Sequence, residues 1–246
     1  MGYPSIEVLT MWFNEEFLAP FFLNHYSFAD HIRVLNDVES TDNAHMIIKG
    51  YPNATVEDMF FPDGFDNDIA VDKLNRCYVE SKADWVIAVD ADEFVLTPNL
   101  HEFLKERTED VFLVNLNEVY RHEGDSDLDV SIPIMEQRRY GISGTMSGKH
   151  WGIKPIVVHT GRKIKWMAGQ HMIWNRNRLV TADEILLGSH WMLADPSRPF
   201  IERRLRGRIR QSKNNVLRGH SHHCNDVTED KVIRQLEQHM NDGRVF

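Results

Sequence analysis

Cysteine is nearly absent: Cys77 and Cys224 are the only two in 246 residues. Two are too few for a disulfide framework and fit a reducing compartment. Long apolar runs are missing as well. The longest, 17–23 and 111–116, fall far short of the roughly 20 residues that span a bilayer. No charged leader followed by an apolar segment opens the chain, because its start already reads as a strand running into a charged turn. We therefore expect a soluble, cytoplasmic protein without a transmembrane segment. Positive charge is also in deficit: 28 Lys plus Arg stand against 37 Asp plus Glu, a net −9. This argues against a dedicated duplex-DNA binder, whose footprint is basic. Neither an internal repeat nor a low-complexity linker divides the chain, which predicts one compact domain with a C-terminal elaboration.

What the chain does have is an ordinary globular composition, 42% apolar and 10% aromatic. The acidity is unevenly placed. Residues 1–197 carry 17 basic and 31 acidic side chains, a charge of −14, whereas residues 198–246 carry 11 and 6, a charge of +5. Apolar β-prone runs at 5–12, 31–36 and 85–89 predict strands, with a weaker signal at 54–56. Between them, helical character follows Asn14-Glu15-Glu16, and apolar spacing over 66–82 predicts an amphipathic helix. Strands alternating with helices imply βαβ units, hence a mostly parallel central sheet with helices on both faces. Beyond a helix at 99–107 and a strand at 111–117 the alternation fades. Possible antiparallel strands follow at 155–159, 163–167 and 171–174, then a basic helix over 198–217 and an amphipathic end at 230–240.

Asp90-Ala91-Asp92-Glu93 follows the apolar strand WVIAV directly. Ligands of open α/β sheets bind outside the carboxyl ends of the strands, so these acids should project into a crevice. Two carboxylates one residue apart can share a hard cation and leave its other positions for phosphate oxygens and water, as Mg²⁺ or Mn²⁺ prefers. Metal-assisted departure of a phosphate-containing group suits that pattern. The alternative is a plain solvated strand exit.

Three motifs, in order and in spacing over about the first 100 residues, resemble the family-2-like glycosyltransferases of GT-A fold. They are Thr10-Met11-Trp12-Phe13-Asn14-Glu15-Glu16, then Leu35-Asn36-Asp37 with Ser40-Thr41-Asp42, then the DxD-containing Ala88-Val89-Asp90-Ala91-Asp92-Glu93-Phe94. Farther on, Lys154-Pro155-Ile156-Val157, Gly169-Gln170-His171 and Ser189-His190-Trp191 look like downstream blocks of small stand-alone members. The resemblance implies a GT-A-like nucleotide-binding fold, a nucleoside-diphosphate sugar such as a UDP- or GDP-sugar, and Mn²⁺ or Mg²⁺. It favours transfer with inversion, and leaves the acceptor open among a glycan, a lipid-linked sugar, a protein and a modified nucleobase. Position by position, it suggests that Phe13, Asn14, Glu15 and Asp37 hold the nucleoside and that Asp90 meets the ribose or a metal-bound water. Asp92 would ligate the metal, with His190 completing its coordination. Residues 1–117 would form the donor half, 118–197 the acceptor half, and 198–246 a basic helical segment packed on the same domain.

An acceptor hydroxyl must lose its proton as it attacks, so a carboxylate or His is needed opposite the leaving group. Glu118, His122, Glu123 and Asp125 after the strand predicted at 111–117 are candidates, as is His171. The Glu-Asp acceptor motif usual in the family is not evident. The segment 198–218 holds eight cations and a single acid, Glu202, with Arg203, Arg206 and Arg210 in one helical row and Arg204 and Arg208 in the next. Those cations could pair with the acidic body, clamp a donor pyrophosphate or meet an anionic surface. His220, His222, His223 and Cys224 are of metal-ligating type but too closely packed to serve one ion. Two other classes stay open. One is an Asp-x-Asp phosphohydrolase, disfavoured because its motif should follow the first strand and continue Gly-Thr; the other is a non-catalytic nucleotide- or sugar-binding module.

Overall fold

The computed structural model describes residues 2–143, 152–192, 194–220, 227–242 and 244–245. The first half runs β1 (Ile6–Trp12), α1 (Ala19–His25), β2 (His31–Asp37), α2 (Ala44–Ile48), β3 (Ala54–Met59), α3 (Asn67–Glu80) and β4 (Trp85–Ala88). β5 (Glu93–Val95), α4 (Leu100–Leu104), β6 (Val111–Tyr120), β7 (Tyr140–Ile142), β8 (Ile153–His159) and β9 (Thr181–His190) follow. The chain closes with α5 (Arg198–Ile209), α6 (Lys213–Leu217), α7 (Glu229–Asp242) and β10 (Arg244–Val245). One ten-stranded sheet has the order β10-β7-β6-β8-β4-β1-β2-β3, with β9 beside β6 and β5 beside β9.

The parallel pairs β1–β2, β1–β4 and β2–β3 build the half that alternates in sequence. Past β4 the pairing turns mixed: β8 runs antiparallel to both β4 and β6, whereas β9 runs parallel to β6. Alternation along the strands feeds two cores. Ile6 and Val8 of β1 and Trp85 and Ile87 of β4 join Phe22, Tyr26 and Phe94 on one face, while Leu9, Val86 and Ala88 join Leu74, Cys77 and Tyr78 of α3 on the other. Phe22 is fully buried and meets Trp12 edge-on at 5.6 Å between centroids. A side chain of that size contributes about 1.5–3 kcal/mol by leaving water.

Helix ends follow local chemistry. Pro20 lies in the first turn of α1 and Pro199 in that of α5, where a missing N–H costs nothing. The Asp66 carboxylate caps α3 by accepting from the backbone N–H of Asp68 and Ile69. The long basic helix expected over 198–217 is broken in two. At the break, the Phe65 N–H donates to the Arg210 carbonyl at 2.5 Å and the Ser212 N–H to the Phe65 carbonyl at 2.9 Å. A side chain at Gly64, whose φ is +87°, would put a Cβ 2.5 Å from the Arg210 oxygen. Segments 163–167 and 171–174 pair only through a single bridge, Trp166 with Ile173. The apolar run ending in Gly188-Ser189-His190, not expected as a strand, becomes β9 because β5 and β6 offer it two partners. Among the described residues no helix is long and apolar enough to cross a membrane.

Candidate functional site

β4 delivers the acidic triplet to the carboxyl end of the parallel half-sheet, beside the ends of β1 and β2. The chain turns at once, the Glu93 N–H donating to the Asp90 carbonyl at 3.1 Å, and re-enters the sheet as β5. Register then decides the neighbours. Glu93 pairs with His190 across β5 and β9, and His190 pairs with Glu118 across β9 and β6, so three distant segments share one row.

Each acid of the triplet meets a cation. The Lys154 ammonium, brought in by β8, donates to Asp90 at 3.2 Å and to Glu93 at still closer range. Burial works against that charge, but the two carboxylates outweigh it and hold Lys154 above the ordinary lysine range. Asp92, 2% exposed, accepts from Arg203 Nη1 at 2.5 Å and lies 3.3 Å from His190 Nε2. Burial alone would raise its pKa; Arg203 and His190 reverse the sign and keep it far below the carboxylate range. The other nitrogen of His190, Nδ1, is 2.5 Å from Glu118 Oε1. Desolvation disfavours the charged ring, yet the flanking Glu118 and Asp92 carboxylates prevail and raise it well above the usual histidine value.

α5 supplies the remaining cations from one face. Arg203 Nε donates to both oxygens of Glu15, at 3.0 and 2.9 Å, and Arg206 Nη2 to the Asn14 carbonyl at 2.7 Å. Arg210, just past the helix, donates to Asp37 and lies over the Phe13 ring at 3.2 Å from its centroid. Phe13, Glu15, Asp37, Asp90, Asp92 and His190 thus line one cavity of about 280 Å³, together with Arg203, Arg204, Arg206 and Arg210. Asn14 lies at a neighbouring cavity instead. Its φ is +54°, and its side-chain oxygen accepts from the N–H groups of Thr41 and Asp42, which staples the β1 loop to the β2 loop. Glu118 touches the site through His190, whereas Glu123 and His171 are exposed and line neither cavity. His222, His223 and Cys224 lie outside the described residues.

The largest cavity, about 1,210 Å³, is elsewhere. It is lined by Asn117 and Ser189, the neighbours in sequence of Glu118 and His190, and so opens on the opposite face of β6 and β9. None of the sequence-predicted site residues lines it. Chemistry, not size, therefore locates the candidate site.

The residues expected to hold Mn²⁺ or Mg²⁺ do not, in this arrangement, present a ligand set. Asp92 is bound by a guanidinium, and both ring nitrogens of His190 are taken up by the Asp92 and Glu118 carboxylates. Among the described residues no group of three His, Cys, Asp or Glu side chains could hold a metal.

Sequence reasoning assigned no role to Lys154 or Gln170. Gln170 is buried at φ +59° and donates to Asp90 at 3.4 Å. The sequence signals were the Lys154-Pro155-Ile156-Val157 and Gly169-Gln170-His171 blocks, neither of which carried a role for these two side chains.

The fold is thus an α/β sheet with a polar, ion-paired cavity at its strand ends. No protein-family model matches the chain, and no curated protein does. Among solved structures it is similar to S. aureus TarS 1-349 in complex with UDP-GlcNAc, with 15% identity, a TM-score of 0.49 and coverage of 97% of this chain and 73% of that one. Against S. aureus TarS the figures are 14% identity, TM-score 0.49, and 96% and 43% coverage. Against glucosyl-3-phosphoglycerate synthase from Mycobacterium tuberculosis in complex with Mn²⁺, UDP and glucosyl-3-phosphoglycerate they are 20% identity, TM-score 0.31, and 48% and 44% coverage. At these identities and scores the likenesses assign neither a family nor an activity.

Proposed function

We propose that the chain is a cytoplasmic, nucleotide-sugar-dependent glycosyltransferase of GT-A-like fold, moving a sugar from a UDP- or GDP-sugar to an acceptor hydroxyl with inversion. One observation carries this reading: side chains from all three N-terminal motifs, Phe13 and Glu15, Asp37, and Asp90 with Asp92, meet in one cavity at the strand ends. Phe13, Glu15 and Asp37 take the nucleoside end, and Asp90 the ribose. The anomeric C–O bond breaks with its electron pair going to the diphosphate, the acceptor oxygen bonds to the anomeric carbon, and its proton goes to Glu118. That carboxylate is 32% exposed and does not itself line the cavity, but it contacts His190, which does; Glu123 and His171 do not line it. Residues 1–117 serve the donor, 118–197 the acceptor, and 198–246 form a basic helical segment packed on the same domain. Mn²⁺ or Mg²⁺ is what the motif resemblance implies, but Asp92 and His190 are already engaged by Arg203 and Glu118.

The test is to incubate the full chain with a panel of UDP- and GDP-sugars, with Mn²⁺ and Mg²⁺ supplied, and to measure nucleoside diphosphate release. Turnover of one donor, lost in Asp92→Asn and in Glu118→Gln, supports the proposal. No release from any donor, or phosphate release from a simple monoester instead, would overturn it.

A further inference from the structure

The acids at the strand ends are already engaged by the chain's own side chains. Lys154 meets Asp90 and Glu93, Arg203 meets Glu15 and Asp92, Arg210 meets Asp37, and His190 lies against Glu118. A cation entering between Asp90 and Asp92 would have to displace Arg203 from a 2.5 Å contact with a carboxylate that is 2% exposed.

Arg203 itself is built in like a ligand-presenting group. Glu15 holds its Nε through both oxygens and Asp92 holds Nη1, so the plane of the guanidinium is set by two buried carboxylates. Among the described residues nothing meets its Nη2. One turn along the same helix face, Arg206 is half-buried and forms no ion pair among the described residues; its only hydrogen-bond partner there is the Asn14 carbonyl. Burial, with the neighbouring Arg203, depresses its pKa even though Glu15 pulls the other way. A half-buried guanidinium with no ion pair among the described residues, beside a fixed guanidinium whose Nη2 meets nothing there, is a place for an anion. Both side chains line the cavity that holds Asp90 and Asp92.

We propose that Arg203 and Arg206 bind the donor's diphosphate directly and meet the leaving group's charge, with Asp92 and Glu15 as positioning residues for Arg203 and not as ligands of a divalent cation. This rests on the nucleotide-sugar reading. Arg203 transfers no proton: its N–H groups hydrogen-bond the phosphate oxygen that receives the electron pair of the broken anomeric C–O bond.

Calorimetric titration of the full chain with UDP and with GDP, in EDTA and in Mn²⁺, tests it. One of the two nucleotides should bind in EDTA with a Kd within about 3-fold of that in Mn²⁺, since the chain's own arginines supply the cations. Arg203→Ala should weaken binding in EDTA about 10- to 100-fold, the range of a charged hydrogen bond. Because Arg203→Ala orphans two buried acids and can unfold the chain, Arg206→Ala is the second variant: it orphans none and should weaken binding about 10-fold or more. Binding that requires Mn²⁺ and survives Arg206→Ala sinks the arginine clamp but leaves the glycosyltransferase reading standing. Unchanged binding in both variants in EDTA likewise sinks the clamp alone. Failure of both nucleotides to bind, with and without Mn²⁺, overturns the clamp and the reading beneath it.

Discussion

Replacing Lys154 by methionine isolates a buried ion pair beneath the site. The Lys154 side chain is 8% exposed and its partner Glu93 1%, whereas Asp90, the second partner, is 39% exposed and open to water. Methionine fills most of the lysine stem's volume, so the perturbation is the charge. It leaves Glu93, which burial holds above the usual carboxylate range even beside Lys154, without its cation in a site shared with Asp90 and Asp92, and breaking one side of a buried pair costs about 3–5 kcal/mol. For a chain of this size that lowers Tm by about 6–20 °C. The sign with pH follows from linkage. A carboxylate buried without its cation has a folded pKa above its unfolded value of about 4.3, so the penalty is absent below that pH and grows as pH rises through it. Urea unfolding of wild type and variant at pH 7 and pH 4 measures both effects. The double variant Lys154→Met with Glu93→Gln carries no orphaned charge and should recover to within about 1–2 kcal/mol of wild type. A single variant within about 1 kcal/mol of wild type at pH 7, or an equal deficit at both pH values, would refute the reasoning.

Asp66→Ala should cost about 2–4 kcal/mol in chemical denaturation, because one carboxylate both caps α3 and accepts from Ser212 Oγ at 2.9 Å and Asn214 Nδ2 at 2.8 Å, docking α6. Hydrogen exchange of the α6 amides should accelerate, and unchanged protection there would contradict the docking role. Gly188→Ala should cost about 1–3 kcal/mol by overpacking, since its Cβ would come within 2.7 Å of Leu116 Cδ2 and Val114 Cγ1 and 3.0 Å of the Phe94 oxygen. A melt indistinguishable from wild type would show that β9 can retreat from β6. His190 should remain protonated at pH 7 in a nitrogen-detected NMR titration. Its folded pKa is raised, so its contribution to stability is complete below about pH 6.5 and is lost only as pH climbs through the folded value. Ordinary titration near pH 6.5 would refute the double-carboxylate clamp.

Local signals sufficed for the parallel half-sheet. WVIAV followed by three acids reads as a buried central strand meeting a crevice, and β1, β2 and α3 follow from runs of apolar residues at periods that one window of sequence contains. β9 was not legible in that way. Its strand character comes from lying between β5 and β6, partners 97 and 72 residues away at the His190 row, and from a glycine that lets the backbones approach. The basic segment was plain as composition, but its break at residues 210–212 depends on the Phe65 backbone, which no local pattern announces.

The candidate site divides along the same line. The identity of the acids, their spacing and their place at a strand end belong to the sequence by itself, because a strand's exit and its polar residues are local properties. Which cation each acid meets was decided only by the tertiary structure. Asp92 and Arg203 are 111 positions apart, Glu15 and Arg203 188, and Asp37 and Arg210 173. Electrostatic partnership depends on distance in space and on exclusion of water, and both appear only once β8, β9 and α5 have packed against the strand ends. Two carboxylates one residue apart therefore read as a cation site in the sequence, and the folded chain brings to them an arginine, a histidine and a lysine of its own.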